Sequence, residues 1–100
     1  MKSIIFDWDI NKNLSNIKKH GVSFLEASSV FYDDEAIIFD DPIHSITEER
    51  FNIIGMSNKL NLLIVNHCYR RNDDLLRIIS ARKATKQEPN DYLELKKGIV

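Results

Sequence analysis

The sequence predicts an α+β fold in which an antiparallel sheet carries helices packed mainly on one face. Two observations predict it. Helix patterns with capping signals occupy the first third of the chain, and apolar runs separated by turn residues occupy most of the rest. Because the later connections are short, the strands that they join are expected to pair antiparallel.

Length and composition limit the organisation of the chain. Its 100 residues predict a single domain over residues 1–100, and 43% apolar residues suffice for one modest core. A lone cysteine, Cys68, cannot form an internal disulfide, which favours a reducing compartment and a cytoplasmic location. No apolar run reaches membrane-spanning length, so no membrane partner is expected.

The first elements follow from local patterns. Residues 4–8 predict a strand, and a helix is expected over about residues 12–20, where Gly21 ends it. Leu14 and Ile17 are expected to form the buried stripe of this helix.

Capping signals predict two further helices. Ser23 and Glu26 have the spacing of a capping box, so a second helix should run to about Phe31. A final helix is expected to begin near Thr85 or Glu88 and to carry Tyr92, Leu93 and Leu95.

Four strands are predicted between these helices, over residues 36–39, 50–57, 60–70 and 75–81. Side chains alternate between the faces of a strand. His67 and Tyr69 should therefore lie on one face of the sheet, and Arg70 on the other.

The charges are segregated along the chain although the net charge is only −1. Acids dominate residues 33–49, namely Asp33, Asp34, Glu35, Asp40, Asp41, Glu48 and Glu49. Bases dominate residues 70–86, namely Arg70, Arg71, Arg77, Arg82, Lys83 and Lys86. Such a chain could bind a polyanion locally, or the two segments could pair with each other on the surface.

The cations on the last two strands suggest a site for an anion, because guanidinium groups donate paired hydrogen bonds to phosphate. RNA cleavage needs positive charge on the phosphorane and groups that move protons. Arg70 and Arg82 suit the charge role, and His67, Tyr69 and Glu49 are candidates for proton transfer. This hypothesis requires both arginines to reach one open hollow.

Each candidate also has a structural explanation. Arg70 could be a solvated turn residue, Arg82 could pair only with Glu48, Glu49 or Glu88, and His67 could be a partly buried core histidine. His20 precedes Gly21 and suits a cation at a helix C-terminus, whereas His44 could be a ligand or an ordinary loop residue.

Metal and cofactor sites have little support in the sequence. The spacings typical of zinc sites are missing, and so is a glycine-rich phosphate loop. Asp7, Asp9, Asp40 and Asp41 could in principle hold Mg²⁺, but acids that flank strands are usually solvated. We therefore expect no metal and no cofactor.

Several blocks of the sequence closely resemble the BrnT family of toxins, from about residue 4 to 94. They include Phe6-Asp7-Trp8-Asp9, Lys19-His20-Gly21-Val22-Ser23-Phe24, His44-Ser45, Glu48-Glu49-Arg50, Ile54-Gly55 and the run from Arg77 to Thr85, followed by Glu88 and Tyr92. The two longest blocks, KHGVSF and RIISARKAT, carry most of the specificity.

The resemblance implies a type II toxin with a RelE-like ribonuclease fold that arrests growth by metal-independent RNA cleavage. It implies a BrnA-like antitoxin with a ribbon-helix-helix part, a heterotetramer with two copies of each chain, and contact with operator DNA only through the antitoxin. Arg70 and Arg82 match the family's basic positions best. The alternative is an inactive relative that serves only as the antitoxin's partner and corepressor.

Overall fold

Five strands form one sheet in the part of the chain that the computed structural model describes, residues 3–88. They are β1 (Ile5–Asp7), β2 (Ile37–Asp40), β3 (Phe51–Met56), β4 (Leu62–Arg70) and β5 (Leu75–Lys83). Their order in the sheet is β1-β5-β4-β3-β2. The predicted α+β class is confirmed, and the predicted strands all form within a few residues of their expected bounds.

The sheet is mixed, because β1 lies parallel to β5 while the other neighbours are antiparallel. The prediction of a purely antiparallel sheet is therefore wrong at this edge. Short connections predict antiparallel pairs only between consecutive strands, and β1 reaches β5 from the far end of the sequence. Asp7 and Arg77 face each other in this pair and form an ion pair.

The two helices of residues 3–88 are α1 (Ile10–His20) and α2 (Phe24–Ser29). The Asp9 carboxylate accepts from the Lys12 amide at 3.0 Å and so caps the start of α1. Gly21, at φ 71°, ends α1 in the left-handed conformation that glycine adopts without strain. The final helix and its residues Tyr92, Leu93 and Leu95 lie outside the described residues, except for its expected start.

The inward side chain of α1 is polar, contrary to prediction. Leu14 and Ile17 are 59% and 41% exposed, whereas Asn16 is only 6% exposed. The Asn16 amide donates to the carbonyls of Val22 and Ala81 at 2.8 and 2.7 Å, and its oxygen accepts from the Ala81 amide at 3.1 Å. These hydrogen bonds join α1 to β5, which explains why an asparagine takes the buried place.

The core lies between the helices and one face of the sheet. Its buried members are Val22, Phe24, Ala27, Val30, Ile53, Leu63, Val65, Leu76, Ile78 and Ala81. Trp8 packs against this cluster, with its ring edge-to-face with Phe24. Because one face of the sheet is buried in this core, the opposite face is the one that can carry a binding site.

The capping box of α2 forms only in one direction. The Ser23 hydroxyl accepts from the Glu26 amide at 3.0 Å. The buried Glu26 carboxylate instead accepts from Ser57 and Asn61 at 2.7 and 2.9 Å. Burial raises the pKa of Glu26, but these hydrogen bonds outweigh it and leave the pKa below its ordinary value.

A β-bulge interrupts the pairing of β4 with β5. Asn66 lies opposite Ser80, but the next residue, His67, lies opposite Ile78, so Ile79 is the extra residue.

Within residues 3–88, neither helix has the length and apolar content that crossing a membrane requires.

Candidate active site

A hollow of about 360 Å³ lies on the face of the sheet opposite the core. Side chains from β2 to β5, from the segment before β3 and from the end of α1 line it. They are His20, Phe39, Asp41, His44, Arg50, Asn52, Ile64, Asn66, Ile79, Ser80, Ala81, Arg82 and Glu88. We call it the central hollow. The bulge in β5 brings the consecutive residues Ile79 and Ser80 to its wall.

A hydrogen-bonded carboxylate organises one side of the central hollow. Asp41, only 7% exposed, accepts from the Asn66 amide at 2.8 Å, and the same Asn66 nitrogen lies 3.0 Å from the Asn52 side-chain oxygen. Asp41 Oδ2 also lies 2.8 Å from His44 Nδ1. Because an ionised carboxylate only accepts, Nδ1 must carry the proton in this contact. Nε2 of His44 is then the nitrogen that can exchange a proton with a ligand.

Hydrogen bonds join the two ends of the loop that carries His44. It contains a 3₁₀ turn over Pro42–His44. The Ser45 hydroxyl donates to the Asp41 carbonyl at 2.6 Å and accepts from the Arg50 amide at 2.9 Å, while the Asp41 amide donates to the Arg50 carbonyl at 3.0 Å. This loop therefore holds a largely exposed imidazole in a defined position at the hollow.

Arg82 supplies a guanidinium from β5 and is paired inside the central hollow. Its Nη1 donates to Glu88 Oε1 at 2.7 Å and its Nη2 donates to Glu88 Oε2 at 2.8 Å. The pair raises the pKa of Arg82 and lowers the pKa of Glu88 from 4.5 to about 2. Of the three glutamates that were alternative partners for Arg82, Glu88 is the one that it contacts among the described residues.

Arg50 adds a second guanidinium to the lining of the central hollow. Its Nε is buried and has no hydrogen-bond partner among the described residues, and the nearest carboxylate oxygen, on Glu48, is 3.9 Å away.

The two predicted arginines do not meet. Arg82 lies opposite Ile64 in the sheet, whereas Arg70 is six residues further along β4 and lies opposite Leu75. Six residues of strand span roughly 20 Å. The Arg70 guanidinium pairs instead with Glu48 at 3.1 Å. The expectation of two guanidinium groups in one hollow is therefore wrong, because strand register separates them.

Tyr69 and Glu49 line a different hollow, of about 390 Å³, together with Glu48, Phe51 and Asp73. Burial and the charge of Asp73 raise the pKa of the Tyr69 hydroxyl. Three carboxylates in the lining make this hollow unfavourable for a phosphate. The structure therefore separates these two proton-transfer candidates from Arg82.

His67 is fully buried on the core face, as the alternative of a core histidine predicts. Its ring packs edge-to-face against Phe31, with centroids 4.8 Å apart, and lies near Phe51 and Tyr69. Nδ1 lies 3.1 Å from the Val65 carbonyl oxygen, and Nε2 has no partner among residues 3–88. Burial lowers the pKa of His67, so the imidazole is neutral and shielded from solvent.

Most residues of the central hollow could not be assigned to a site from the sequence. His44 and His20 had only alternative or structural explanations, and Asp41 and Arg50 had no role in the proposed chemistry. One local signal was present, because Asp41 and His44 are three residues apart and flank Pro42. The spacing alone could not show that both would meet β4 and β5 in space.

No group of three or more His, Cys, Asp or Glu side chains within residues 3–88 is arranged to hold a metal ion. Three of the four acids that the sequence suggested for Mg²⁺ have other contacts. Asp7 pairs with Arg77, Asp9 caps α1, and Asp41 binds Asn66 and His44.

Comparisons with known proteins agree with the fold. A family model described as the ribonuclease toxin BrnT of a type II toxin–antitoxin system matches residues 8–88. The crystal structure of the Brucella abortus ribonuclease toxin BrnT is similar, with a TM-score of 0.65 and 26% sequence identity, over 84% of this chain and 100% of that chain. A comparison with curated protein sequences gives no match.

Proposed function

Because the chain belongs to the BrnT family of ribonuclease toxins of type II toxin–antitoxin systems, we propose that it is a metal-independent endoribonuclease that cleaves RNA in the central hollow. In this proposal the toxin acts in the cytoplasm, where its RNA substrate is, and cleavage arrests growth until an antitoxin neutralises it.

One observation carries the placement of the reaction. The central hollow combines the guanidinium groups of Arg82 and Arg50 with the imidazoles of His20 and His44. Guanidinium groups suit the phosphate oxygens, and imidazoles suit proton transfer near neutral pH. The hollow that contains Tyr69 and Glu49 has carboxylates where a phosphate would need cations.

The proposed reaction is an internal transfer at phosphorus. His44 Nε2 accepts the proton of the RNA 2′-hydroxyl, and the 2′-oxygen attacks the adjacent phosphorus. The bond to the 5′-oxygen of the next nucleotide breaks, and that oxygen takes a proton from the His20 imidazolium. The products are a 2′,3′-cyclic phosphate and a 5′-hydroxyl, so atoms and charge balance without a metal.

Arg82 and Asp41 have supporting roles in this scheme. Arg82 stabilises the charge that develops on the non-bridging oxygens, an effect typically worth about 3–4 kcal/mol per donor. Asp41 holds the His44 ring through Nδ1 and selects the tautomer that presents Nε2. Arg70, Tyr69, Glu49 and His67 lie elsewhere, and we propose no direct contact between them and the scissile phosphate.

The test is cleavage of a labelled RNA by the purified chain in the presence of a metal chelator. Arg82→Ala and His44→Ala should each lower the rate about 100-fold or more. Arg71→Ala is the control, because Arg71 lies in the exposed turn before β5, and its one ion pair within residues 3–88 is with Asp74, at 3.6 Å. Cleavage that needs added metal, or that survives both active-site changes, contradicts the proposal.

A second function has a specific observation in its favour. The Arg82 fork is fully occupied by Glu88, and only one of the five residues predicted to be catalytic lines the central hollow. A catalytically inactive relative that serves as antitoxin partner and corepressor would fit these facts. Induced expression distinguishes the two, because an active toxin stops growth and the inactive relative does not.

The type II family implies an antitoxin partner, and we propose a BrnA-like protein with a ribbon-helix-helix part. The proposed assembly has two toxins and two antitoxins and touches operator DNA only through the antitoxin. Co-expression with the product of the neighbouring reading frame, followed by a mass measurement of the complex, tests both the partner and the stoichiometry.

A further inference from the structure

The carboxylate of Glu88 lies where a phosphate would have to bind to Arg82. Both terminal nitrogens of the guanidinium donate to it, at 2.7 and 2.8 Å, one to each oxygen. Both residues line the central hollow. Carboxylate and phosphate present similarly spaced oxygen pairs to such a fork, so the two anions cannot use it together.

Residues 84–87 form the short segment between the end of β5 and Glu88. The Ala84 amide donates to the Leu62 carbonyl at 2.9 Å, which is the last backbone bond from this segment to β4 among the described residues. Beyond it, Glu88 Oε1 accepts from the Thr85 amide at 2.6 Å. Within residues 3–88, the Glu88 carboxylate is therefore held by Thr85 and by the Arg82 side chain, and neither contact is part of the backbone pairing of β4 with β5.

We propose that Glu88 is an internal competitor of the RNA phosphate: it occupies the anion position of Arg82, and RNA must displace it to bind. This inference rests on the proposed function, since it takes the central hollow as the RNA site. It goes further in two ways. It assigns the phosphate-binding position to the Arg82 guanidinium, and it describes a free protein in which Glu88 occupies that position.

A purely structural role for Glu88 predicts the opposite effect on binding. If Glu88 only holds Arg82 in place for RNA, loss of its charge should disorder the fork and weaken binding. If Glu88 competes with phosphate, loss of its charge should strengthen binding. The sign of the change therefore decides between the two roles.

The test uses Glu88→Gln and an RNA oligonucleotide with 2′-O-methyl groups, which the proposed reaction cannot cleave. Glutamine keeps a side-chain oxygen for the Thr85 amide but loses the charge and the paired contact with Arg82. Measured by fluorescence anisotropy at fixed salt, the variant should bind this RNA about fivefold more tightly. The reason is that no charged carboxylate occupies the Arg82 guanidinium before the RNA binds.

Two further variants separate displacement at Arg82 from a general loss of negative charge. Asp74→Asn removes a carboxylate that pairs with Arg71 in the exposed turn before β5, outside the central hollow, and should leave affinity nearly unchanged. In an Arg82→Ala background, Glu88→Gln should not change the RNA affinity, because the guanidinium for which Glu88 and the phosphate compete is absent. If Glu88→Gln does not fold, Glu88→Ala removes the same competitor and should change affinity in the same direction.

Unchanged or weaker binding by the Glu88 variants overturns the inference, and so does an equal gain in the Arg82→Ala background. Cleavage assays keep this outcome apart from failure of the proposed function. If the wild-type chain cleaves RNA through Arg82 while Glu88→Gln leaves affinity unchanged, the function stands and the competitor does not. If folded wild-type and Glu88→Gln proteins neither bind nor cleave RNA, both proposals fail.

Discussion

The role that Arg70, Arg77 or Arg82 can have depends on the carboxylate with which it forms an ion pair. Arg77 pairs with Asp7 across the parallel edge of the sheet, Arg70 pairs with Glu48, and Arg82 pairs with Glu88. The first two pairs lie outside the central hollow, whereas both members of the third line it. Residue type and strand placement alone could not separate these three cases.

Histidines divide in the same way by environment. His44 is 63% exposed and bound to a buried carboxylate, an arrangement that suits proton transfer. His67 is fully buried among aromatic rings, which lowers its pKa and keeps it neutral. The surroundings of an imidazole thus decide whether it can exchange protons with a ligand or serves as a core side chain.

The buried His67 gives the folded protein a specific sensitivity to acid. Its pKa is below 6.5 in the folded chain but close to 6.5 in the unfolded chain, so below about pH 6.5 the unfolded state binds more protons. The free energy of unfolding should therefore fall as the pH drops through this range. In urea titrations, His67→Phe should lose less stability than the wild type between pH 7.5 and pH 5.

The control for this prediction is His20→Gln, which removes a histidine outside the core and should keep the decline of the wild type. An equal decline in His67→Phe and the wild type would show that other groups cause the acid sensitivity.

At the scale of elements, one polar side chain replaces the apolar stripe expected on α1. Asn16 joins the helix to β5 through the carbonyl and amide of Ala81, and it also binds the carbonyl of Val22. The stripe of Ile10, Leu14 and Ile17 is left exposed. The orientation of α1 on the sheet therefore depends on directional hydrogen bonds as well as on burial.

Asn16→Ala should destabilise the protein by about 2–4 kcal/mol, because it leaves buried carbonyl and amide groups of Val22 and Ala81 without partners. The measurement is the free energy of unfolding in urea. Asn11→Ala, at an exposed position of the same helix, is the matched control and should change stability by less than about 0.5 kcal/mol. Equal effects of the two changes would contradict the role given to Asn16.

Local signals were sufficient for most elements but not for their partners. The caps at Gly21 and Ser23 and the turn at 71–74 act within a few residues, so the sequence shows them directly. The parallel pairing of β1 with β5 depends on residues about 70 positions apart, and no local pattern specifies it. The family resemblance carried information that these local patterns lack.

The candidate site was harder to predict than the fold for the same reason. Alternation correctly separates His67 and Tyr69 from Arg70. It does not show that Arg70 and Arg82 lie at different ends of their strands relative to the hollow, since this depends on register. The network of Asp41, His44 and Asn66 joins distant segments and could be recognised only in three dimensions.

At the scale of the whole molecule, the two faces of the sheet have different tasks. One face holds the core with both helices of residues 3–88, and the other carries the central hollow. The acidic segment contributes Asp41 to the hollow and Glu48 to the separate acidic hollow. The acidic and basic segments of the sequence therefore pair with each other in part, as the contact between Glu48 and Arg70 shows.

Because the net charge is −1, attraction of RNA to the protein as a whole is weak, and binding must depend on cations close to the phosphates. Each phosphate contact on a single strand changes the slope of log K against log salt by about −0.7. Arg82→Ala should therefore make this slope about 0.7 less steep for the 2′-O-methyl RNA, whereas Arg71→Ala should leave it unchanged. The measurement is fluorescence anisotropy over a salt series. A slope that responds to Arg71 and not to Arg82 would place the RNA backbone at the turn before β5 and away from the central hollow.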